Sequence, residues 1–263
     1  MLSVYDFTGR VALITGSTHA FGAAIAHRLS QLGTTVVITG RRADRLAKVA
    51  KQCTDVSPNR LRPIEVVADL TVEADSLRLV ETTVQNYGRL DILVNCAGFE
   101  QYVRFDDSDY MQVYDKLEAL NIRSVQLLTR LAVPYLAKSG GSGGGGGGTV
   151  VNISSCLSLI PDPTSVAYCL VKHSMDMFNK CLALELKPYG IRVNSVNLST
   201  VRTPRVDGHP TIVDECSQLY PMRRIGEPHE IADTVAFMCS DSGSVVNGYI
   251  LPLDGGATLC GLS

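Results

Sequence analysis

The sequence carries no excess of charge of either sign. Its 24 Lys and Arg stand against 26 Asp and Glu, for a formal net charge of -2. The basic stripe that nucleic-acid binding requires is missing, and acidic or polyanionic macromolecular partners are not expected. Long apolar runs are also missing. None reaches the roughly 18 residues needed to span a bilayer, and the opening MLSVYDFTGRVALITG has neither the charged n-region nor the unbroken apolar h-region of a signal peptide. No membrane partner is expected, and the location expected is intracellular and cytoplasmic. Eight cysteines are spread along the chain with no CxxC pair. That spacing excludes a disulfide framework and a zinc site, so no metal is expected and most of the thiols are read as small buried hydrophobes. Composition changes nowhere abruptly, so residues 1–263 are expected to form a single domain. The one biased stretch is GGSGGGGGG at 140–148, which cannot bury apolar surface and is expected to be a flexible insertion in the loop entering the fifth strand.

What is present is an alternation. Short β-branched runs at 11–15, 35–40, 64–68, 91–95 and 149–154, with further candidates at 191–197 and 249–253, are separated by longer stretches of helical period. The pattern predicts βαβ units and a parallel sheet of about seven strands. Because the strands read as continuous apolar runs, both sheet faces are expected to be covered by helices. The helical stretches include 23–33, 74–88 and the segment around 175–187, with Gly33 and Gly88 placed as C-terminal stops. This is a doubly wound α/β architecture.

Three groups of residues suggest chemistry. The first strand runs into Thr15-Gly16-Ser17-Thr18-His19-Ala20-Phe21-Gly22 and then a helix, a context in which backbone N–H groups and a helix N-terminus hold a pyrophosphate. Strand-to-helix turns in any α/β protein also favour glycine, so the turn alone leaves both readings open. After the second strand, where an acidic residue would grip a ribose 2'-hydroxyl, stand Arg41 and Arg42. Two guanidinium groups suit a 2'-phosphate, with His19 as an added donor; a solvated helix start is the alternative. The third group is Tyr168 and Lys172, whose i, i+4 spacing puts phenol and ammonium on one helix face. A neighbouring cation stabilises a phenolate, so the pair suits ketone reduction and alcohol oxidation alike. Ser155, just past a strand end, can hold the substrate oxygen.

With these residues in place the chain resembles the short-chain dehydrogenase/reductase family over essentially its whole length. The resemblance also rests on Asp69-Leu70-Thr71, Asn95-Cys96-Ala97-Gly98, Asn121 within LNIRS, residues 192–197, the stretch PMRRIGEP at 221–228, and Leu253-Asp254-Gly255-Gly256. It implies a Rossmann fold, with Tyr168 as proton donor, Ser155 polarising the carbonyl, Lys172 lowering the tyrosine pKa and binding the nicotinamide ribose, and Asn121 holding a water that links Lys172 to solvent. It further implies Gly16, Thr18, His19, Phe21 and Gly22 around the phosphates, and Asp69 with Leu70 at the adenine. Asn95, Ala97 and Gly98 would line the adenosine and ribose side, with Val201 and Thr203 near the carboxamide. NADP(H) is the expected cofactor, with NAD(H) possible, and relatives of this kind are commonly homotetramers or dimers.

Three positions depart from the family pattern: Ala20 for the middle glycine of the turn, Cys96 for the second asparagine after the fourth strand, and Leu198-Ser199 for a Pro-Gly pair. If position 20 needs a positive φ, alanine there would cost on the order of 1 kcal/mol. The expected activity is reduction of a small ketone, dicarbonyl or 3-keto-acyl compound with NADPH. The alternatives are an NAD-dependent alcohol or hydroxysteroid dehydrogenase, and a noncatalytic binding protein of the same fold. Asp207, His209 and Asp214 are too irregularly spaced for a metal site and are read as solvated side chains. The segment 203–220 is expected to be the loop that sets specificity, without a chemical signature of its own.

Overall fold

A computed structural model describes residues 5–139 and 147–260. The chain runs β1 (Val11–Ile14), α1 (Ala20–Gln31), β2 (Thr35–Gly40), α2 (Ala43–Val56), β3 (Ile64–Val67), α3 (Glu73–Tyr87) and β4 (Ile92–Asn95). It continues through α4 (Tyr110–Glu118), a π-helical turn (Ala119–Arg123), α5 (Ser124–Leu136), β5 (Thr149–Ser155), α6 (Val166–Glu185) and β6 (Arg192–Leu198). The last elements are α7 (Pro204–Asp207), α8 (Pro210–Leu219), α9 (Pro228–Cys239), β7 (Ile250–Leu253) and α10 (Ala257–Cys260). The seven strands form one parallel sheet in the order β3-β2-β1-β4-β5-β6-β7.

The continuous apolar runs divide by alternate residues between two cores, as the pleat requires. Ala12 and Ile14 face one way, with Ile38, Val94 and Val151, and pack with Ile25 and Leu29 of α1 and Val235 of α9. Val11 and Leu13 face the other way, with Val37, Leu93 and Val150, against Leu79 of α3, Leu128 and Ala132 of α5 and Ala183 of α6. Helices therefore cover both faces, as expected. Strand order reverses between β1 and β4, and in open sheets of this kind the crevice at that reversal, outside the carboxyl ends of the strands, is where ligands bind.

Several boundaries differ from the expectations, each for a local reason. Gly88 does close α3 in the left-handed region at φ 69°. Gly33, also left-handed at φ 91°, likewise stops α1, one residue past the Leu32 cap. The catalytic-motif helix α6 begins at Val166, nine residues before the stretch read at 175–187. The segment 203–220 is not an open loop but two short helices. Their sequence signals were present: Pro204 and Pro210 each sit in the first helical turn, and the Thr203 hydroxyl caps α7 by accepting the Val206 N–H at 3.2 Å. Most of the glycine run at 140–148 lies outside the described residues. Its last two residues are held, Gly147 N–H by the Gly190 carbonyl at 3.0 Å and Gly148 N–H by the Leu136 carbonyl at 2.7 Å. The expectation that most cysteines are buried also needs correcting: Cys53, Cys156 and Cys239 are buried, Cys96, Cys169 and Cys216 are half-buried, and Cys181 and Cys260 are exposed.

Candidate active site

The turn after β1 is shaped by close backbone approaches. Gly16 adopts φ +65°, and a Cβ there would stand 2.8 Å from the Cα of Ala97 on the neighbouring β4 turn. A Cβ on Gly22 would overlap the Gly16 carbonyl oxygen. The two turns are laced by Thr15, whose Oγ1 accepts N–H bonds from both Cys96 and Ala97 at 2.9 Å. Sequence reasoning passed over this threonine, although a hydroxyl directly before the first glycine was the available signal. Ala20 is the first residue of α1 and is absent from the non-glycine residues with positive φ, which are Arg60 and Arg223. The backbone cost expected of alanine at this position therefore does not arise. His19 is exposed at the mouth of the turn, its ring edge-on to Phe21 at 4.6 Å between centroids. Thr18 lies against Gly40 at the end of β2. A bare backbone cradle and the unpaired N–H groups of a helix N-terminus fit the pyrophosphate of a dinucleotide.

The two arginines past β2 differ. Arg42 is the N-terminal cap of α2 and holds Asp44 through two bonds, 3.1 Å from Nε and 2.6 Å from Nη2. This is the helix-start reading for that residue. Arg41 is exposed and has no ion pair among the described residues. Beyond β3, Asp69 accepts from the Thr71 N–H at 3.0 Å and its hydroxyl at 2.7 Å, and Leu70 is buried beside it. Asn95 departs from the expectation that it lines the ribose side. Its buried side chain turns into the sheet and donates to Thr129 Oγ1 at 3.1 Å and Asn152 Oδ1 at 2.9 Å. Ala97 lies against Gly16, and Gly98 beside Asn121 and Lys172.

At the other end of the cleft four polar side chains come together. Ser155 ends β5, its Oγ accepting from the Leu157 N–H at 3.2 Å, and its hydroxyl favours the charged form of the Tyr168 phenol. Lys172, one turn along α6, is buried, with Nζ donating to the Ile153 carbonyl at 3.1 Å and standing 5.6 Å from the Tyr168 ring centre. Asn121 lies in the π-helical turn, a distortion that often marks functional sites. Its Nδ2 donates to the Phe99 carbonyl at 3.1 Å and the Leu117 carbonyl at 3.0 Å, while its buried Oδ1 has no protein partner. That oxygen and Lys172 Nζ both border the space a side chain at Gly98 would fill, 2.6 Å and 3.8 Å from its ideal Cβ. An orphaned acceptor beside an ammonium suits a bound water.

Burial governs the ionisation of this cluster. It pushes the Lys172 ammonium down to about 8, against the opposing charges of Cys96, Asp176 and Glu100. The Tyr168 phenol is pushed above its ordinary value, first by burial and then by the charge of Glu100, with the Ser155 hydroxyl opposing. Cys96, in place of the family's asparagine, is a thiol that burial pushes up to about 12. Leu198 is buried at the end of β6, and Ser199 lines a cavity with Val201, Met222, Leu253 and Asp254. Val201 is bridged to Gly226, and the Thr203 hydroxyl is occupied by its helix cap. Asp207 pairs with Arg202 at 2.8 Å.

Comparisons with known proteins agree with this architecture. The family profile described as "Enoyl-(Acyl carrier protein) reductase" matches residues 16–258. An A-factor type gamma-butyrolactone 1'-reductase (1S-forming) of Streptomyces virginiae is 35% identical over 260 residues, covering 96% of each chain. The NADP-dependent (R)-specific alcohol dehydrogenase of Lentilactobacillus kefiri is 34% identical, covering 95% of this chain and 97% of the relative. Among solved structures, a short-chain dehydrogenase/reductase mutant from Serratia marcescens superposes with a TM-score of 0.88 at 28% identity, covering 97% of this chain and all of the other. With a matching profile over nearly its whole length and relatives that are reductases and dehydrogenases, the chain belongs to the short-chain dehydrogenase/reductase family, oxidoreductases of alcohol and carbonyl groups.

Proposed function

We propose that this protein reduces a small ketone, dicarbonyl or 3-keto-acyl compound with NADPH. The observation that carries the reading is the convergence of Ser155, Tyr168, Lys172 and the unpartnered Asn121 Oδ1 at the carboxyl ends of β4 and β5. A bound nicotinamide supplies the hydride; the protein supplies position and protons. Ser155 Oγ and the Tyr168 hydroxyl hold the carbonyl oxygen of the substrate, and Tyr168 gives it a proton as the carbonyl becomes an alcohol. Lys172 and a water on Asn121 Oδ1 return that proton from solvent. Gly16, Thr18, His19, Phe21 and Gly22 hold the phosphates, Asp69, Leu70, Ala97 and Gly98 the adenosine side, and Val201 and Thr203 the nicotinamide side.

NADP(H) preference rests on Arg41, which is exposed and without an ion pair among the described residues, and is in keeping with the NADP-dependent relative. The engagement of Arg42 by Asp44 favours a second reading, an NAD-dependent alcohol dehydrogenase. Titration with NADPH and NADH, followed by nicotinamide fluorescence, separates them. At least tenfold tighter NADPH binding is expected, and equal affinity would select the second reading.

The functional unit is expected to be one domain, acting as a homodimer or homotetramer in the cytoplasm. The solvent face of α6 carries Leu170, Met177 and Leu184, all at least half exposed, at the spacing of a helix-packing seam. Sedimentation of the full chain checks the assembly. None of the helices among the described residues is long and apolar enough to cross a membrane.

A further inference from the structure

One charged side chain whose field reaches Tyr168 and Lys172 has no part in the proposed proton transfer. Glu100 follows the β4 turn, two residues past Gly98. Its position is fixed from behind, because Asn121 Nδ2 holds the carbonyl of the preceding Phe99 and Phe99 packs in the same apolar cluster as Tyr168, Val103 and Tyr110. The carboxylate is half-buried. Its hydrogen bond is a local one, accepted by Oε1 from the Tyr102 hydroxyl at 2.8 Å. Among the described residues no Lys, Arg or His lies within salt-bridge distance of it. The remaining charges around Tyr102 are Asp162, from the loop before α6, and Arg205 of α7.

A carboxylate is an acceptor with no proton to give, and one left without a cation in a partly desolvated cleft favours a ligand that supplies a donor. We propose that Glu100 determines specificity, selecting carbonyl substrates that carry a hydroxyl or ammonium group beside the reacting carbon and disfavouring those that carry a carboxylate there. This inference rests on the reductase reading above. The Glu100 charge reaches the site: after burial, it is the next cause that pushes the Tyr168 phenol up, and it makes a smaller contribution at Lys172. A structural role would look different. Among the described residues the one side-chain hydrogen bond of Glu100 spans two residues at the surface, so no contact between elements depends on it.

The test is a series of methyl ketones of one shape, differing in the end group: butanone, hydroxyacetone, aminoacetone and acetoacetate. The wild-type protein is expected to rank them by kcat/KM with aminoacetone and hydroxyacetone above butanone and acetoacetate last. In Glu100→Gln the ratio of aminoacetone to acetoacetate is expected to fall about tenfold or more, the size of one charge-assisted hydrogen bond, while Glu100→Asp keeps the wild-type ranking. Ratios within twofold of one another in wild type and Glu100→Gln would overturn the assignment while leaving the reductase reading intact. Absence of turnover of all four by the wild type, with either cofactor, would overturn both.

Discussion

The two ends of the cleft are built on opposite principles. At the phosphate end the recognition elements are backbone geometry and exposed side chains: the Gly16 and Gly22 approaches, His19 and Arg41. At the proton-transfer end the polar groups are held from behind: Lys172 by Ile153, Asn121 by Phe99 and Leu117, Ser155 by the Leu157 N–H. Asp176, two turns past Tyr168 on α6, extends this frame. Its buried carboxylate accepts from Ser158 and from Asn197 Nδ2 at 2.8 Å, tying α6 to the end of β6. One end thus rests on close backbone approaches with exposed side chains around them, the other on buried side chains held by the fold.

The sharpest way to break the comparison is Tyr168→Phe. Loss of a general acid should reduce kcat by roughly 10²–10⁴-fold, with NADPH affinity by fluorescence little altered; retained turnover would remove Tyr168 from the chemistry. Next comes pH. Lys172 has a folded pKa of about 8 against 10.5 for the unfolded group, so between these values the unfolded chain binds more protons and stability rises with pH. Below pH 8 the penalty is fully present, on the order of 3 kcal/mol. Lys172→Met is therefore expected to be more stable than wild type at pH 7 in urea unfolding, the gap narrowing from pH 8 to 10.5. A gap independent of pH would mean that the lysine is not desolvated.

Asp176→Leu tests the buried frame. It strands the donors of Ser158 and Asn197, and about 2 kcal/mol of stability should be lost, a fall in Tm of roughly 4–8 °C. The smallest effects belong to the exposed end. Arg41→Ala should weaken NADPH about tenfold and leave NADH and Tm unchanged, whereas Asp44→Asn, by freeing Arg42, should strengthen NADPH by about twofold.

Legibility in the sequence divides along the same line. The strands were readable to within a residue because each is a short β-branched run bounded by turn residues, and the central ones are buried between two layers of helices. Tyr168, Lys172 and Ser155 were readable because regular elements fix their spacing. What could not be read depends on contacts between distant segments. Asn95 turns inward because Thr129 and Asn152, far along the chain, await it. Arg42, by contrast, pairs with Asp44 only two residues on, one of the two readings the sequence offered, whereas Glu100 takes its meaning only from the fold around Tyr168. The backbone angle at Ala20 likewise follows from where α1 begins, which a glycine count does not reveal.

The wide turn at Ala119–Arg123 has a consequence for the helices on either side of it. A residue inserted into an α-helix rotates everything after it by about 100°. Here that rotation sets the phase between Val113 and Leu117, which face the Tyr168 cluster, and Leu128, Ala132 and Leu136, which face the sheet. Deleting one residue from this turn would tighten it into ordinary helix and at the same stroke turn the buried stripe of α5 out of register with its core. The segment is therefore constrained twice, in its length and in the buried side chain of Asn121 that it carries.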